Sequence, residues 1–164
     1  MPPPRARTRI ADLDTSDDYW LITQLLYRYG ELMDRGDLDG AAELFRDARV
    51  RIAPGDDGFV DSRRLRELWR STVILYADGT PHTSHVITNP IVDVDSERSH
   101  ATARSVYTVF QQTQNAIQPI VCGRYHDRFE RDDGDWRFRE RDYTLVDLVG
   151  DVSGHLRIEL RADA

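Results

Sequence analysis

The chain has 164 residues, 40 % of them hydrophobic and 31 % charged, with a net charge of −7; this length suits one domain with a sizeable core, and the acidic balance disfavours a nucleic-acid partner. All 22 basic residues are arginines spread among carboxylates, and Cys122 is the single cysteine, which excludes an intramolecular disulfide framework and a cysteine-based zinc site. No apolar run reaches about 18 residues and the basic start MPPPRARTR lacks the apolar stretch of a secretory signal, so a soluble cytoplasmic protein with no membrane partner is expected.

Residues 1–14 are rich in Pro, Arg and Asp and read as a flexible N-terminal arm. Thr15-Ser16-Asp17-Asp18 then combines cap candidates with acids in a first turn, which starts a helix. Ile22, Leu25, Leu26, Tyr29, Leu32 and Met33 recur at helical spacing, and Gly36 is placed to end that helix. Asp37 or Asp39 starts a short second helix through Phe45. Val50 and Ile52 mark a short strand, Phe59-Val60 another fragment. Asp61 or Ser62 caps a third helix carrying Leu65, Leu68, Trp69, Val73 and Ile74 on one side.

After Gly79-Thr80-Pro81 the period becomes that of strands. Four are expected: His82–Asp95 with a bulge or kink at Asn89-Pro90, His100 to about Thr113, Gln118–Arg131, and Trp136–Val149. Asp133-Gly134 between the last two is a strong hairpin signal, because tight turns need positive φ. A turn there pairs Phe129 with Phe138 and Glu130 with Arg137. Continued without a break, the same register sets Arg128 against Arg139 and Asp127 against Glu140, which is unfavourable. The tail, residues 150–164, contains His155, Leu156, Ile158 and Leu160 and reads either as an extra strand or as an arm on a neighbouring subunit.

Helices followed by an antiparallel meander make an α+β domain over residues 15–149. Long curved strands wrapped around N-terminal helices form a cone-shaped barrel, whose open end suits a small-molecule pocket. The convex face of such a sheet needs cover, so a homodimer or homotrimer is expected.

No nucleotide loop, no His-x-x-x-His and no nucleophile elbow is present, and no third ligand joins His82 and His85. What remains is a set of single polar residues in apolar contexts. Tyr29 on the apolar stripe reads as a core tyrosine or as a pocket donor. Asp34 at the end of the first helix opposes the helix dipole, an unfavourable siting that suggests a use, although it lies off the apolar stripe. His85 starts the first long strand. Arg141 alternates with Arg137 and Arg139, the pattern of a solvated charged face.

The stretches YRYGELMDRGDLDGAAELF (27–45), HTSHVITNPIVDVD (82–95) and GRYHDRFERDDGDWRFRERDY (123–143), in that order, resemble the SnoaL-like group of the nuclear-transport-factor-2-like superfamily. Its members include scytalone dehydratase, bile-acid 7α-dehydratase, a hexachlorocyclohexane dehydrochlorinase, polyketide cyclases and dioxygenase β subunits. The resemblance implies a cone-shaped α+β barrel. It also implies that Asp34 pairs with His85 at the matching positions of the dehydratase branch, with Tyr29 and Arg141 as further catalytic matches. The scytalone dehydratase pattern has a second active-site histidine on a later strand, for which His100 and His126 are no secure counterpart.

These residue types suit elimination. A histidine takes a proton, a carboxylate on its other nitrogen fixes the tautomer and stabilises the imidazolium, Tyr29 assists the leaving group, and Arg141 holds enolate or carboxylate charge. The expectation is a cofactor-independent lyase of the dehydratase type, acting on a mostly apolar polyketide-, steroid- or terpene-like molecule. The alternatives are an isomerase or cyclase using the same pair, and a non-catalytic ligand-binding module or dioxygenase β-subunit-like protein. Met33, Trp69, Tyr107 and Phe110 are candidate substrate-binding residues; with Tyr29 and Val106 they form the expected lining, in which only one of Val106 and Tyr107 faces inward, since neighbours on a strand point to opposite faces.

Overall fold

The computed structural model describes residues 15–54, 58–114 and 116–160. The expected N-terminal arm lies outside the described residues. Among the described residues, three helices, α1 (Thr15–Asp34), α2 (Leu38–Glu43) and α3 (Ser62–Thr72), accompany seven strands. The strands are β1 (Arg49–Arg51), β2 (Phe59–Val60), β3 (Thr83–Val94), β4 (His100–Gln112), β5 (Ile117–Asp132), β6 (Asp135–Asp142) and β7 (Val146–Val149).

The strands form one sheet in the order β2-β1-β6-β5-β4-β3, and β7 pairs with β5. The meander is antiparallel, as its hairpins require, but β1 joins β6 in parallel. The expected last strand is two strands. β6 pairs with the distal half of β5, and the chain breaks at residues 143–145 before β7 pairs with Val121–Gly123 of the same strand. A single straight strand could not follow β5 along both halves of its curve.

Local chemistry sets the corners. Ile22, Leu26, Tyr29, Leu32 and Met33 of α1 are buried, as their spacing requires. Gly36, at φ 74°, ends α1; its N–H reaches the Met33 carbonyl and that of Asp37 reaches Leu32. Asp37 then caps α2 by accepting from the Gly40 N–H at 2.8 Å, and Asp61 caps α3 by accepting from Arg64 N–H at 2.8 Å. Asp133 and Gly134 both take positive φ in the β5–β6 turn, and the β3 bulge falls between Thr88 and Ile91 with Asn89 at φ 52°.

The β5–β6 register begins as the turn dictates, with Phe129 opposite Phe138 and Glu130 opposite Arg137. It then slips by one residue. Arg128 stands opposite Glu140 and Asp127 opposite Arg141. The bulge at Arg139 replaces the two unfavourable pairs of the unbroken register with two pairs of opposite charge. It also turns Arg141 to the inner face. Arg141 is fully buried rather than part of a solvated row.

At one end of α1, Asp18 is buried rather than solvated in an exposed first turn. It accepts from Arg98 Nε at 2.6 Å, from Trp136 Nε1 at 3.1 Å and from Arg131. Burial works to raise its pKa, but these donors outweigh it and hold the carboxyl below its usual value.

Candidate active site

The opposite end of α1 delivers Asp34 to β3, the strand against which α1 chiefly packs. Gly30, one turn earlier, lets the strand approach: a Cβ built there would lie 3.2 Å from the His85 Cβ. Asp34 therefore faces β3 although it is off the apolar stripe. Its Oδ1 lies 2.6 Å from His85 Nδ1 and accepts from Thr83 Oγ1 at 2.9 Å, while Oδ2 accepts from the His85 backbone N–H at 2.8 Å. These donors compensate the unfavourable end of the helix dipole. The His85 side chain is 5 % exposed. A carboxylate can only accept, so Nδ1 carries the proton and the neutral ring leaves Nε2 as its basic atom.

His85 lines a cavity of about 220 Å³ shared with Tyr29, Met33, Trp69, Tyr107 and Tyr125. Tyr143, Val109, Val121 and Val146 also line it, as do His155, Leu156, Ile158 and Leu160 of the tail. A larger, more open depression of about 450 Å³ lies elsewhere, among Asp93, Thr102, Arg128 and Arg139. We place the site in the smaller cavity because it is the less open of the two, is walled mostly by apolar and aromatic side chains and is lined by the His85 imidazole that Asp34 holds.

Tyr29 sits at the centre of an aromatic cluster. Its ring meets His85 edge-on at 5.9 Å, Tyr125 at 5.9 Å and Tyr143 at 6.3 Å. Tyr107 stacks on Tyr125 at 4.2 Å and faces Gly123 across the β4–β5 pair. A Cβ at Gly123 would lie 2.7 Å from the Tyr107 hydroxyl, so only glycine leaves room for that ring. Burial, chiefly, raises the Tyr29, Tyr125 and Tyr143 hydroxyls well above their ordinary pKa and Tyr107 to about 12. All four stay protonated near neutrality.

Three expectations are corrected. Arg141 does not line the cavity. Its Nε and Nη2 hold Asp127 at 2.7 and 2.8 Å, and its guanidinium lies 4.6 Å from the Tyr29 ring centre and 4.1 Å from that of Tyr125. Sealed under the tyrosines, it cannot hold a substrate carboxylate directly. Phe110 lies on the outer face of β4, in alternation with the buried Tyr107, Val109 and Gln111; of Val106 and Tyr107, it is Tyr107 that faces inward. Residues 150–160, finally, add no regular strand. They fold back on their own barrel, with a bridge between Leu156 and Val73.

Residues 14–142 match the SnoaL-like domain family. The chain belongs to that family. Solved structures similar to this SnoaL-like domain include an NTF2-like protein with a cystatin-like fold from Novosphingobium aromaticivorans. It is 22 % identical, with a TM-score of 0.65, over 80 % of this chain and 84 % of that one. A protein from the same organism described provisionally as a scytalone dehydratase is 24 % identical, with a TM-score of 0.63, over 90 % and 92 %. The beta subunit of a provisionally assigned aromatic-ring-hydroxylating dioxygenase, also from that organism, is 18 % identical, with a TM-score of 0.64, over 88 % and 100 %. These likenesses show the cone-shaped α+β fold. No curated protein matches the sequence. Among the described residues, no helix is long and apolar enough to cross a membrane.

Sequence reasoning missed Tyr125 and Tyr143 in the lining, and it missed His155. It is 6 % exposed and lines the cavity from the tail. Its one sequence signal is its place beside the strand-like alternation Leu156-x-Ile158-x-Leu160, which forms no regular strand here.

Proposed function

We propose that this SnoaL-like protein is a cofactor-independent lyase that eliminates water from a small, mostly apolar molecule. The observation that carries the reading is the 2.6 Å contact of Asp34 with His85 Nδ1 at the wall of an apolar cavity. His85 Nε2 takes a proton from the carbon next to a carbonyl. Asp34 stabilises the imidazolium that forms. The C–H electron pair becomes the new double bond, the neighbouring C–O bond breaks, and the departing hydroxide takes up a proton to leave as water. Tyr29, uncharged and beside His85, donates a hydrogen bond to an oxygen of the substrate. Arg141 is a positioning residue that acts through the tyrosine rings above it.

A cavity of about 220 Å³ lies below the ~300–1,000 Å³ of drug-sized ligands. A bicyclic polyketide or a small terpene suits it better than a steroid. An isomerase or cyclase would use the same pair without expelling a group.

The test is a panel of β-hydroxy ketones of one and two rings, monitored for the absorbance of the enone product. Loss of water catalysed by the wild type and not by His85→Ala supports the lyase. Rearranged product without loss of water would replace it with the isomerase. Turnover of no substrate, together with a stable complex with an iron–sulfur partner subunit, would replace it with a dioxygenase β-subunit role.

We also propose self-association through the outer sheet face, where Val86, Ile91 and Val106 are 40–52 % exposed. Sedimentation as a monomer at micromolar concentration would refute it.

A further inference from the structure

The cavity contains an imidazole that the elimination scheme leaves unused. His155 follows β7 and is pinned through its backbone. Its N–H donates to the Val152 carbonyl at 2.9 Å, and its carbonyl accepts from Ile74 N–H at 2.8 Å. The carbonyl of Gly154 takes hydrogen bonds from the Tyr76 hydroxyl and Gln111 Nε2, each at 2.8 Å. Arg157 N–H reaches the Thr72 carbonyl at 2.8 Å. The end of α3, the loop after it and β4 thus hold the backbone around His155 in place.

The two ring nitrogens differ. Nδ1 is sealed, with no hydrogen-bond partner. An orphaned buried N–H is rarer than an orphaned acceptor, so the proton belongs on Nε2 of this cavity-lining ring. Charging the ring would add an unpartnered N–H at Nδ1. Burial first, then the neighbouring His85, push its pKa down to about 4, against the opposing pull of Asp34. The other titratable groups around the cavity are Tyr29, Tyr107, Tyr125 and Tyr143.

We propose that His155 is a neutral hydrogen-bond donor that receives the carbonyl oxygen of the substrate on its Nε2–H, while His85 takes the proton from the adjacent carbon. The two imidazoles then have complementary tautomers, one presenting a bare nitrogen and the other an N–H. As His85 removes the proton, the C–H electron pair moves into an enolate, whose oxygen shortens its hydrogen bond to His155. The enolate then re-forms the carbonyl and expels the β-hydroxyl, which leaves as water with a proton from the His85 imidazolium. His155 gives up no proton at any step. A neutral imidazole serves here because its N–H is a better match to an enolate than to a ketone oxygen. The substrate class is accordingly a β-hydroxy ketone. The inference rests on the lyase reading for the role of His85.

The experiment uses histidine labelled with ¹⁵N and 1-tetralone carrying ¹³C at its carbonyl, in D₂O and in H₂O. At pH 7 the His155 ring is expected to show one protonated nitrogen, Nε2, and one bare nitrogen. The tetralone carbonyl signal is expected to move downfield on binding, to lose that shift in His155→Phe and to keep most of it in His155→Gln. Tetralin, which lacks the oxygen, is expected to bind wild type and His155→Phe equally. A charged ring or an Nδ1–H tautomer at pH 7, an unchanged carbonyl shift in His155→Phe, or no binding of 1-tetralone at millimolar concentration would each overturn the proposal. If His155→Phe fails to fold, the tautomer in the wild type still decides. Deuterium exchange at the carbon next to the carbonyl reports separately on His85. A polarised carbonyl without exchange removes the lyase reading and leaves the donor; exchange with an unpolarised carbonyl does the reverse.

Discussion

Gly30 and His85 meet where α1 crosses β3, so closely that a Cβ on Gly30 would lie 3.2 Å from the His85 Cβ. The helix gives up some propensity at that position, about 1 kcal/mol relative to Ala, and gains the approach that brings Asp34 to the imidazole. Gly30→Ala recovers the propensity but presses the strand outward by tenths of an ångström. Its stability to urea should stay within about 1 kcal/mol of wild type, while kcat falls about 10-fold or more through misplacement of His85. Gly30→Val should cost about 1–3 kcal/mol by overpacking. Full activity in both variants would show that the close approach does not matter to the site.

Asp34→Asn keeps the size of the side chain but loses the charge that stabilises an imidazolium and the obligate acceptor for Nδ1–H. Turnover of the β-hydroxy ketone found by the substrate panel should fall by about 10²–10⁴, with an unchanged far-ultraviolet spectrum. His85→Ala should do as much. The double variant should be little worse than either, because the two residues act as one unit. Fully multiplicative losses would mean that they work independently.

Asp127 and Arg141 form a fully buried pair across β5 and β6. Asp127→Ala strands a guanidinium among aromatic rings and should cost about 3–5 kcal/mol in urea denaturation. Replacing both partners together, as Asp127→Leu with Arg141→Met, should cost less than the single change, because no charge is left unpaired. A double variant worse than Asp127→Ala would show that the guanidinium is needed to hold the tyrosine cluster together.

The sequence carries most of this architecture in local signals. The stripe from Ile22 to Met33, the left-handed Gly36, the Asp133-Gly134 turn and the Asn89-Pro90 bulge each have a cause within a few residues. What it hides is set by distant neighbours. The bulge at Arg139 has no compositional mark; its only trace is the pair of like-charge oppositions that an unbroken register would create. Arg141 therefore reads as surface when counted by alternation from Arg137, and it is the slip in register that buries it. Phe110 reads as pocket lining by type, yet strand alternation from Tyr107 puts it outside. His155 depends on the tail folding over the end of α3, a long-range contact that the alternation of Leu156, Ile158 and Leu160 does not reveal.

The buried imidazole of His155 makes stability depend on pH in a defined window. Its pKa in the folded protein is lowered to about 4 from the ordinary histidine value of 6.5. Between those values the unfolded chain binds the proton and the folded chain does not, so stability rises with pH there. The contribution is complete above about pH 6.5, is lost as pH falls toward about 4, and is constant below that. A shift of this size corresponds to a loss on the order of 3 kcal/mol across the window. Urea denaturation of the wild type from pH 7.5 to 4.5 should show that slope in excess of the slope in His155→Gln, which lacks the titrating ring. Parallel profiles for the two proteins would mean that His155 accepts a proton in the folded state as easily as in the unfolded one, and that its ring is not sealed under the tail.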